Sequence, residues 1–273
     1  MFSCLLSSIM FPLDKGILTD ENGTKIKKNK KKFKSITYVE DTIPLVCAGD
    51  DLASNTNFAI LYCHGNADSI ANTHFAAMLV QISEFFKCKV YSYDYPGTAK
   101  SAYYTKTTQN GDIEKIIIED AETIFDYVSK QHNKILLMAH SIGTGPAIYL
   151  AEKHVDKIEA LVLFSAFSSI LSIALGLSIV KNTPLNRIDI FKNYERIVKL
   201  QKVDFPIIFF HGKEDKIISY INSVQLYNIL ISETRSTTKT RMFLYDFETH
   251  NSIFNLFPEP LIQIQNILLN ERN

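Results

Sequence analysis

The sequence lacks an excess of charge of either sign. Its 273 residues carry 29 Lys and Arg against 29 Asp and Glu, so the formal net charge is zero and the pI is near 7.0. A chain without net charge exerts no overall attraction on the phosphates of nucleic acid. We therefore expect no nucleic-acid partner. Hydrophobic residues make up 46% of the chain, which is typical of a folded globular protein.

Cysteine is scarce as well. The four cysteines are Cys4, Cys47, Cys63 and Cys88. Their spacing matches neither a pair of metal ligands nor a disulfide framework. Free thiols in a reducing compartment are the expectation, which predicts a cytoplasmic protein without a structural zinc site.

A long apolar run is missing from the start of the sequence. The opening segment "MFSCLLSSIMFPLDKG" holds only about ten apolar residues, whereas a membrane-spanning helix needs roughly 20. It has no basic segment before the apolar patch and no A-x-A site after it, so a signal peptide is not expected either.

Seven lysines follow this patch between Lys25 and Lys34. They predict either a solvated loop or a basic surface that contacts an anionic cytosolic leaflet. In the second interpretation Cys4 carries an acyl chain as the other anchoring signal, because one signal alone holds a protein weakly. Residues 1–34 would then form a peripheral membrane contact ahead of a single domain at 35–273.

From Phe58 onward, short apolar runs alternate with helical segments. The runs are "FAILYCHGN", "CKVYSYDYPG", "KILLMAHS", "IEALVLFSAF", "FPIIFFHG" and "RMFLYDF". Continuous apolar strands of this kind indicate a sheet that is covered on both faces. The alternation predicts an α/β fold with a mostly parallel central sheet, and the last helix is expected to begin at Pro258.

Residues 168–200 interrupt this alternation. The segment "SSILSIALGLSIVKNTPLNRIDIFKNYERIVKL" is rich in Ile, Leu and Ser. It predicts either ordinary helical packing or a small helical cap whose apolar side covers a substrate pocket.

The stretch "LLMAHSIGTGPA" places a serine where a buried strand turns into a helix. Small residues flank Ser141 on both sides, with Ala139 two residues before it and Gly143 two residues after it. This spacing is typical of a nucleophile elbow, in which a strained turn leaves no room for larger side chains. A serine beside glycine is common in turns, so the prediction needs a base and an acid elsewhere in the chain.

Both partners follow in the order that such a site requires, serine then acid then histidine. Asp215 comes just after an apolar strand in "FFHGKEDKII", with Glu214 as its rival, and His250 follows the final predicted strand. The base takes the serine proton and the acid orients the base. The sequence thus predicts a catalytic triad of Ser141, Asp215 and His250.

A site for the developing oxyanion completes the prediction. In this arrangement the donors are the backbone amide after the nucleophile, that of Ile142, and an amide in the "CHGNAD" loop, that of Asn66. Gly65 lets that loop approach a substrate closely. His64 and His211 each stand in an "HG" pair at a strand end, where a structural role in a turn is expected.

The motifs "CHGNAD", "YSYDYPG", "AHSIGTGPA", "HGKED" and "THNSI", in that order, resemble the α/β-hydrolase superfamily. They are most similar to the membrane-associated α/β-hydrolase-domain proteins that act as protein depalmitoylases, and the similarity runs over residues 58–254. The resemblance implies the same three triad roles and the same two oxyanion amides.

Three departures from that family pattern stand out. Ala139 replaces the usual glycine before the nucleophile, and "GTAKS" replaces a glycine-tyrosine-glycine turn. A single cysteine, Cys4, stands where those depalmitoylases carry a cluster. The last departure weakens both the anchoring argument and the inference of a lipidated protein as the substrate.

These observations favour a serine hydrolase that cleaves an acyl ester or thioester through an acyl-enzyme, with an acylated protein, lipid or other ester as its substrate. The chemistry requires no metal and no organic cofactor. The alternatives are a peptidase or small-ester hydrolase of the serine aminopeptidase type and a non-catalytic binding module with the same fold.

Overall fold

The computed structural model describes residues 36–270 apart from positions 41, 50–57, 67, 97–112, 176–183 and 233–238. Contacts between Cα atoms divide the chain into one unit that ends at Ile135 and another that begins at Leu136. The predicted membrane contact, with Cys4 and the lysines from Lys25 to Lys34, lies outside the described residues, as does "GTAKS".

The first unit contains a sheet and two long helices. Its strands are β1 (Thr37–Val39), β2 (Ile43–Ala48), β3 (Phe58–Cys63) and β4 (Val90–Tyr93), and its helices are α1 (Thr73–Phe86) and α2 (Ile113–Ser129). The strand order is β1-β2-β4-β3. Strand β2 runs antiparallel to both neighbours, whereas β3 and β4 are parallel. Every residue of β3 is buried, as the continuous apolar run predicts.

The second unit contains four strands that lie side by side in chain order. The strands are β5 (Lys134–His140, almost wholly in this unit), β6 (Ile158–Phe164), β7 (Ile207–Gly212) and β8 (Thr240–Tyr245). The helices are α3 (Thr144–Lys153), α4 (Ile170–Leu175), α5 (Asn193–Arg196), α6 (Ile221–Ile231) and α7 (Glu259–Asn270). Strands β6, β7 and β8 are parallel.

Stacked aromatic rings fix the register of these three parallel strands. Phe210 of β7 stacks on Phe164 of β6 at 4.9 Å and on Phe243 of β8 at 5.0 Å, measured between ring centroids. Side chains at matched positions of neighbouring strands lie close enough to pack in this way. Because the strands are parallel, their carboxyl ends lie at the same edge of the sheet. The predicted acid follows β7 at this edge, and the predicted histidine follows β8.

The last helix begins one residue later than the sequence predicts. The residue expected to open it, Pro258, precedes the first helical residue, Glu259. The carbonyl oxygen of Pro258 accepts a hydrogen bond from the Ile262 amide at 3.0 Å. Pro258 therefore supplies the first acceptor of the helix and acts as its N-terminal cap.

The described part of the 168–200 segment forms short helices and turns. Phe191 is fully buried, and a Cβ atom built on Gly145 of α3 would lie 2.5 Å from the Phe191 ring. The absence of a side chain at Gly145 thus lets this segment pack directly on α3. Whether the segment also serves as a cap remains a prediction, and residues 176–183 are not described.

The buried thiols of the first unit are protonated at neutral pH and are therefore poor nucleophiles. Cys63 and Cys88 are free and buried, and burial raises the pKa of each thiol to about 12. Within the described ranges, no helix is long and apolar enough to cross a membrane. The same residues contain no group of three His, Cys, Asp or Glu side chains placed to hold a metal ion.

Candidate active site

Ser141 occupies a strained turn at the end of β5. Its backbone φ angle is +54°, in the left-handed region that residues with a side chain seldom adopt. The carbonyl oxygen of Ser141 accepts a hydrogen bond from Thr144 Oγ1 at 2.7 Å, which closes the turn into α3. Ala139 is fully buried beneath it. Strain of this kind collects at functional sites, where the surrounding structure holds it in place.

A chain of hydrogen bonds connects the serine to an acid through His250. The Oγ atom of Ser141 lies 3.0 Å from His250 Nε2, and His250 Nδ1 lies 2.7 Å from Oδ2 of Asp215. The carboxylate only accepts hydrogen bonds, so Nδ1 carries the proton and Nε2 is free to accept the serine proton. The structure therefore brings together the three residues of the predicted triad.

Asp215 is held as a carboxylate by its surroundings. Its Oδ1 atom accepts the amides of Ile217 at 2.9 Å and Ile218 at 2.8 Å. Burial alone raises the pKa of Asp215, but hydrogen bonds from His211 and His250 outweigh it and hold the pKa well below its usual range. The rival acid, Glu214, is exposed, and the carboxylate that bonds His250 Nδ1 is that of Asp215.

His211 contacts the triad acid, although the sequence suggested only a role in a turn. Its Nε2 atom lies 3.1 Å from Oδ2 of Asp215 and 2.9 Å from the carbonyl oxygen of Ile218. Both neighbours are acceptors, so Nε2 must carry a proton. On the other side of the ring, Nδ1 lies 2.7 Å from Ser223 Oγ. Asp215 Oδ2 therefore receives two N–H donors, one from each histidine.

His140 is a second residue whose role the sequence did not indicate. It is buried beside Ser141, and its Nε2 atom lies 3.1 Å from the carbonyl oxygen of His250. Its ring also packs against those of His250 and Phe254, with both centroid distances at 4.8 Å. His140 thus holds the backbone and the ring of the base from the side of the nucleophile.

The acid and histidine loops are joined by backbone contacts. We use "acid loop" for residues 213–220, between β7 and α6, and "histidine loop" for residues 246–258, between β8 and α7. The Lys213 amide donates to the Tyr245 carbonyl at 2.8 Å, and the Glu214 amide donates to the Glu248 carbonyl at 3.0 Å. A Cβ atom on Gly212 would lie 2.1 Å from that Glu248 oxygen, so the close approach requires glycine.

The two predicted oxyanion donors stand at strand ends of different units. Asn66 follows β3 in the first unit, and Ile142 follows Ser141 in the second. In the first unit, His64 Nε2 lies 3.3 Å from Asp94 Oδ1, with both side chains buried. Burial lowers the pKa of His64, but the Asp94 carboxylate more than offsets it, so the pKa is raised. The joint action of the Asn66 and Ile142 amides stays a prediction.

A pocket of about 450 Å³ opens beside His250, between the acid loop and the histidine loop. Lys216 and Ile217 line it from the acid loop, and Phe247 and Thr249 line it from the histidine loop. The Ile217 side chain is 60% exposed and that of Phe247 is 88% exposed. Two exposed apolar side chains therefore flank an opening that reaches the base.

Comparisons with known proteins relate the chain to hydrolases. Residues 54–188, just under half of the chain, match the family described as "Serine aminopeptidase, S33". The chain is 29% identical over 177 residues to alpha/beta hydrolase domain-containing protein aho-3 of Caenorhabditis elegans. That alignment covers 63% of this chain and 48% of the relative. It is 23% identical over 187 residues to alpha/beta hydrolase domain-containing protein 17B of Homo sapiens. That alignment covers 67% of this chain and 59% of the relative.

A solved structure shows the same fold across most of the chain. Alpha/beta hydrolase domain-containing protein 10 from mouse superposes with a TM-score of 0.58 at 15% identity, over 88% of this chain and 99% of its own. At that identity the likeness establishes the fold alone. The chain spans about half the length of the curated relatives it matches.

Proposed function

We propose that this chain, which has the α/β-hydrolase fold, is a serine hydrolase that cleaves acyl esters or thioesters through an acyl-enzyme. One observation carries the proposal. An unbroken line of hydrogen bonds runs from Ser141 Oγ through His250 to the carboxylate of Asp215. A buried carboxylate and an oriented imidazole are what a serine hydroxyl needs to become a nucleophile at neutral pH.

The reaction follows from the positions of the protons. His250 Nε2 takes the proton of Ser141 as Oγ attacks the substrate carbonyl, and the Asp215 carboxylate stabilises the imidazolium that forms. The same Nε2–H then protonates the leaving oxygen or sulfur as its bond to carbon breaks. Water repeats the sequence in the second half-reaction and releases the acid. The amides of Asn66 and Ile142 are the proposed donors to the oxyanion.

The proposed substrate is a fatty acyl group on a protein or a lipid. The resemblance of the "CHGNAD", "AHSIGTGPA" and "HGKED" motifs to membrane-associated depalmitoylases supports this choice. The match to the serine aminopeptidase family favours a second candidate, a peptidase or small-ester hydrolase. A purely non-catalytic binding role gives no reason for the strained turn at Ser141 or for its bond to the base.

Hydrolysis of a graded substrate set tests the proposal. We expect turnover of 4-methylumbelliferyl esters and of a palmitoyl thioester, and loss of at least about 10³-fold in kcat for Ser141→Ala, the scale of losing a catalytic nucleophile. Ser232→Ala, at an exposed serine of the same unit, is the matched control and should keep full activity. Equal activity of wild type and Ser141→Ala would contradict the proposal.

The substrate class is decided in the same assay. A higher kcat/KM for the palmitoyl thioester than for an aminoacyl arylamide supports the acyl-hydrolase assignment. The reverse preference, still dependent on Ser141, would replace it with the peptidase candidate. Absence of turnover on both substrates by a folded protein would favour the binding module.

A further inference from the structure

A buried serine on α6 contacts the histidine that supports the triad acid. Ser223 is fully buried, and its Oγ atom lies 2.7 Å from Nδ1 of His211. The other nitrogen of the same ring, Nε2, lies 3.1 Å from Oδ2 of Asp215. A continuous line of hydrogen bonds therefore runs from Ser223 through His211 to the carboxylate that orients His250.

The Ser223 hydroxyl is anchored to the segment that follows β6. Its Oγ atom lies 3.2 Å from the carbonyl oxygen of Ala166, a buried residue just after that strand. The neighbouring Asn222 fixes the same turn of α6, because its Oδ1 atom accepts the Ser168 amide at 3.1 Å and the Ser172 hydroxyl at 2.9 Å. The first turn of α6 is thus fastened to the segment after β6, which gives the hydroxyl of Ser223 a fixed position.

The serine hydroxyl suits either charge state of the His211 ring. Nε2 carries a proton because both of its neighbours are acceptors. In a neutral ring Nδ1 is then an acceptor, and the Ser223 hydroxyl donates to it. In a charged ring Nδ1–H donates to Oγ, and the hydroxyl hydrogen goes to the Ala166 carbonyl oxygen. Oγ holds Nδ1 in both cases, whereas a methyl group in its place would hold it in neither.

The contact at Nδ1 helps to determine which edge of the ring faces the acid. An imidazole ring turned over about its Cβ–Cγ bond exchanges Nδ1 with Cδ2 and Nε2 with Cε1. The turned ring of His211 would present one C–H group to Asp215 and another to Ser223. Polar contacts at both ends of the ring therefore disfavour the turned orientation, and removal of the Ser223 hydroxyl leaves only those at Nε2.

We propose that Ser223 is a positioning residue of the active site, whose hydroxyl keeps Nε2–H of His211 on the carboxylate of Asp215. The carboxylate in turn keeps its place for His250. The proposal rests on the proposed hydrolase mechanism and deepens it. Ser223 acts through His211 rather than on the substrate, which sets it apart from a catalytic residue.

Ester hydrolysis by Ser223→Ala measures the effect. We expect kcat per active site to fall by about threefold to tenfold with little change in KM, the scale of one lost hydrogen bond. Titration with a fluorophosphonate counts the active sites, so unfolded protein does not enter the value. The matched control, Ser83→Ala, removes another buried serine hydroxyl on a helix, where Oγ donates to the Cys88 carbonyl at 2.7 Å. It should keep the wild-type kcat.

A double-variant cycle shows whether Ser223 acts through His211. Adding Ser223→Ala to His211→Ala should lower kcat no further, because the ring that the hydroxyl holds has already been removed. An unchanged kcat per active site in Ser223→Ala, even with fewer active sites, would overturn the proposal. The same fold-loss in both backgrounds would overturn it as well, because Ser223 would then act by another route.

Proton NMR separates the positioning role from the hydrolase mechanism, because it requires no substrate. The His211 Nε2–H proton, buried between two acceptors, should give a downfield resonance in the wild type that is absent from His211→Ala. We expect that resonance to broaden through exchange with water in Ser223→Ala and to stay sharp in Ser83→Ala. A sharp, unshifted resonance in Ser223→Ala would contradict the positioning role, whereas a wild type no more active than Ser141→Ala would contradict the mechanism.

Discussion

At the scale of single residues, the site depends on how protons are placed around Asp215. Its Oδ2 atom accepts from His250 and from His211, and its Oδ1 atom accepts two backbone amides. A carboxylate with four donors is fixed in position and in charge. That arrangement holds the ring of His250 with its Nε2 atom toward the serine.

Replacing Asp215 by Asn should lower kcat on the order of 10³-fold or more, because an amide does not enforce the Nδ1–H tautomer of His250. The substitution also tests the lowered pKa. A carboxyl whose pKa is lower in the folded state stabilises the fold at pH values above the ordinary carboxyl pKa of about 4 and loses that contribution as pH falls through the folded value.

Urea unfolding of wild type and Asp215→Asn from pH 7 to pH 3 gives the measurement. We expect the wild type to be more stable at pH 7 and the difference in unfolding free energy to shrink below about pH 4. A difference that does not change over this range would contradict the assigned ionisation of Asp215.

His211 should act as a positioning residue for the acid. His211→Ala removes one of the two donors to Oδ2, so we expect kcat per active site to fall by about tenfold or more while KM changes little, the scale of losing a hydrogen bond to a charged group. His211→Gln keeps an N–H that can reach Asp215, and it should restore much of the loss.

The pH profile distinguishes positioning from a general loss of structure. Without His211 the pKa of Asp215 is less depressed, so the fall in unfolding free energy between pH 7 and pH 3 should be smaller in His211→Ala than in the wild type. Titration of active sites with a fluorophosphonate corrects for unfolded protein. A variant with fewer active sites but an unshifted profile would show a structural role only.

The sequence anticipated the residues of the triad but not the residues around them. Ser141, Asp215 and His250 each follow an apolar strand, so local pattern singled out Ser141 and His250 but left Glu214 as a rival to Asp215. The sequence around His140 and His211 does not show whether either side chain contacts another residue. Their contacts depend on residues from other strands and loops, which a local pattern does not specify.

At the scale of elements, the ends of β7 and β8 bring the acid and the base together. Gly212→Ala would place a Cβ atom 2.1 Å from the Glu248 carbonyl oxygen, so the histidine loop must move. We expect a loss of about 1–3 kcal/mol in unfolding free energy, together with a lower kcat.

Chemical denaturation and ester hydrolysis measure both effects. Because the closest contact is with the backbone oxygen of Glu248, the double variant Gly212→Ala/Glu248→Gly should not recover the lost activity. Recovery would place the conflict at the Glu248 side chain instead, and full activity of Gly212→Ala would show that the close approach is unnecessary.

Strands were more predictable than the segment between β6 and β7. Each apolar run coincides with a strand. In β3 to β7 burial on both faces demands continuous hydrophobic residues, whereas β8 is mostly only partly buried. The 168–200 segment is equally apolar, yet it forms short helices that pack on α3 through Phe191 and Gly145. Its apolar residues pack against the rest of the unit. The sequence alone could not distinguish such packing from a cap that covers a pocket.

At the scale of the whole molecule, we propose that the basic segment recruits the protein to anionic membranes. A net charge of zero over the chain contrasts with seven lysines between Lys25 and Lys34. Each lysine near an anionic surface contributes about 1 kcal/mol, and Cys4 supplies a position for an acyl chain.

Cell fractionation tests the recruitment. Changing the seven lysines to Gln together with Cys4→Ser should move the protein from the membrane fraction to the soluble fraction, and each change alone should move part of it. The Ser232→Ala variant serves as the control, and an unchanged distribution of the combined variant would contradict the proposal.

The most direct test of the central claim is covalent labelling of the intact chain. The protein is treated with a fluorophosphonate, its mass is measured, and the modified peptide is identified. The account predicts one phosphonyl group per molecule on the peptide that contains Ser141, and none on a folded Ser141→Ala variant. Equal labelling of that variant, or an adduct on another serine, would contradict it.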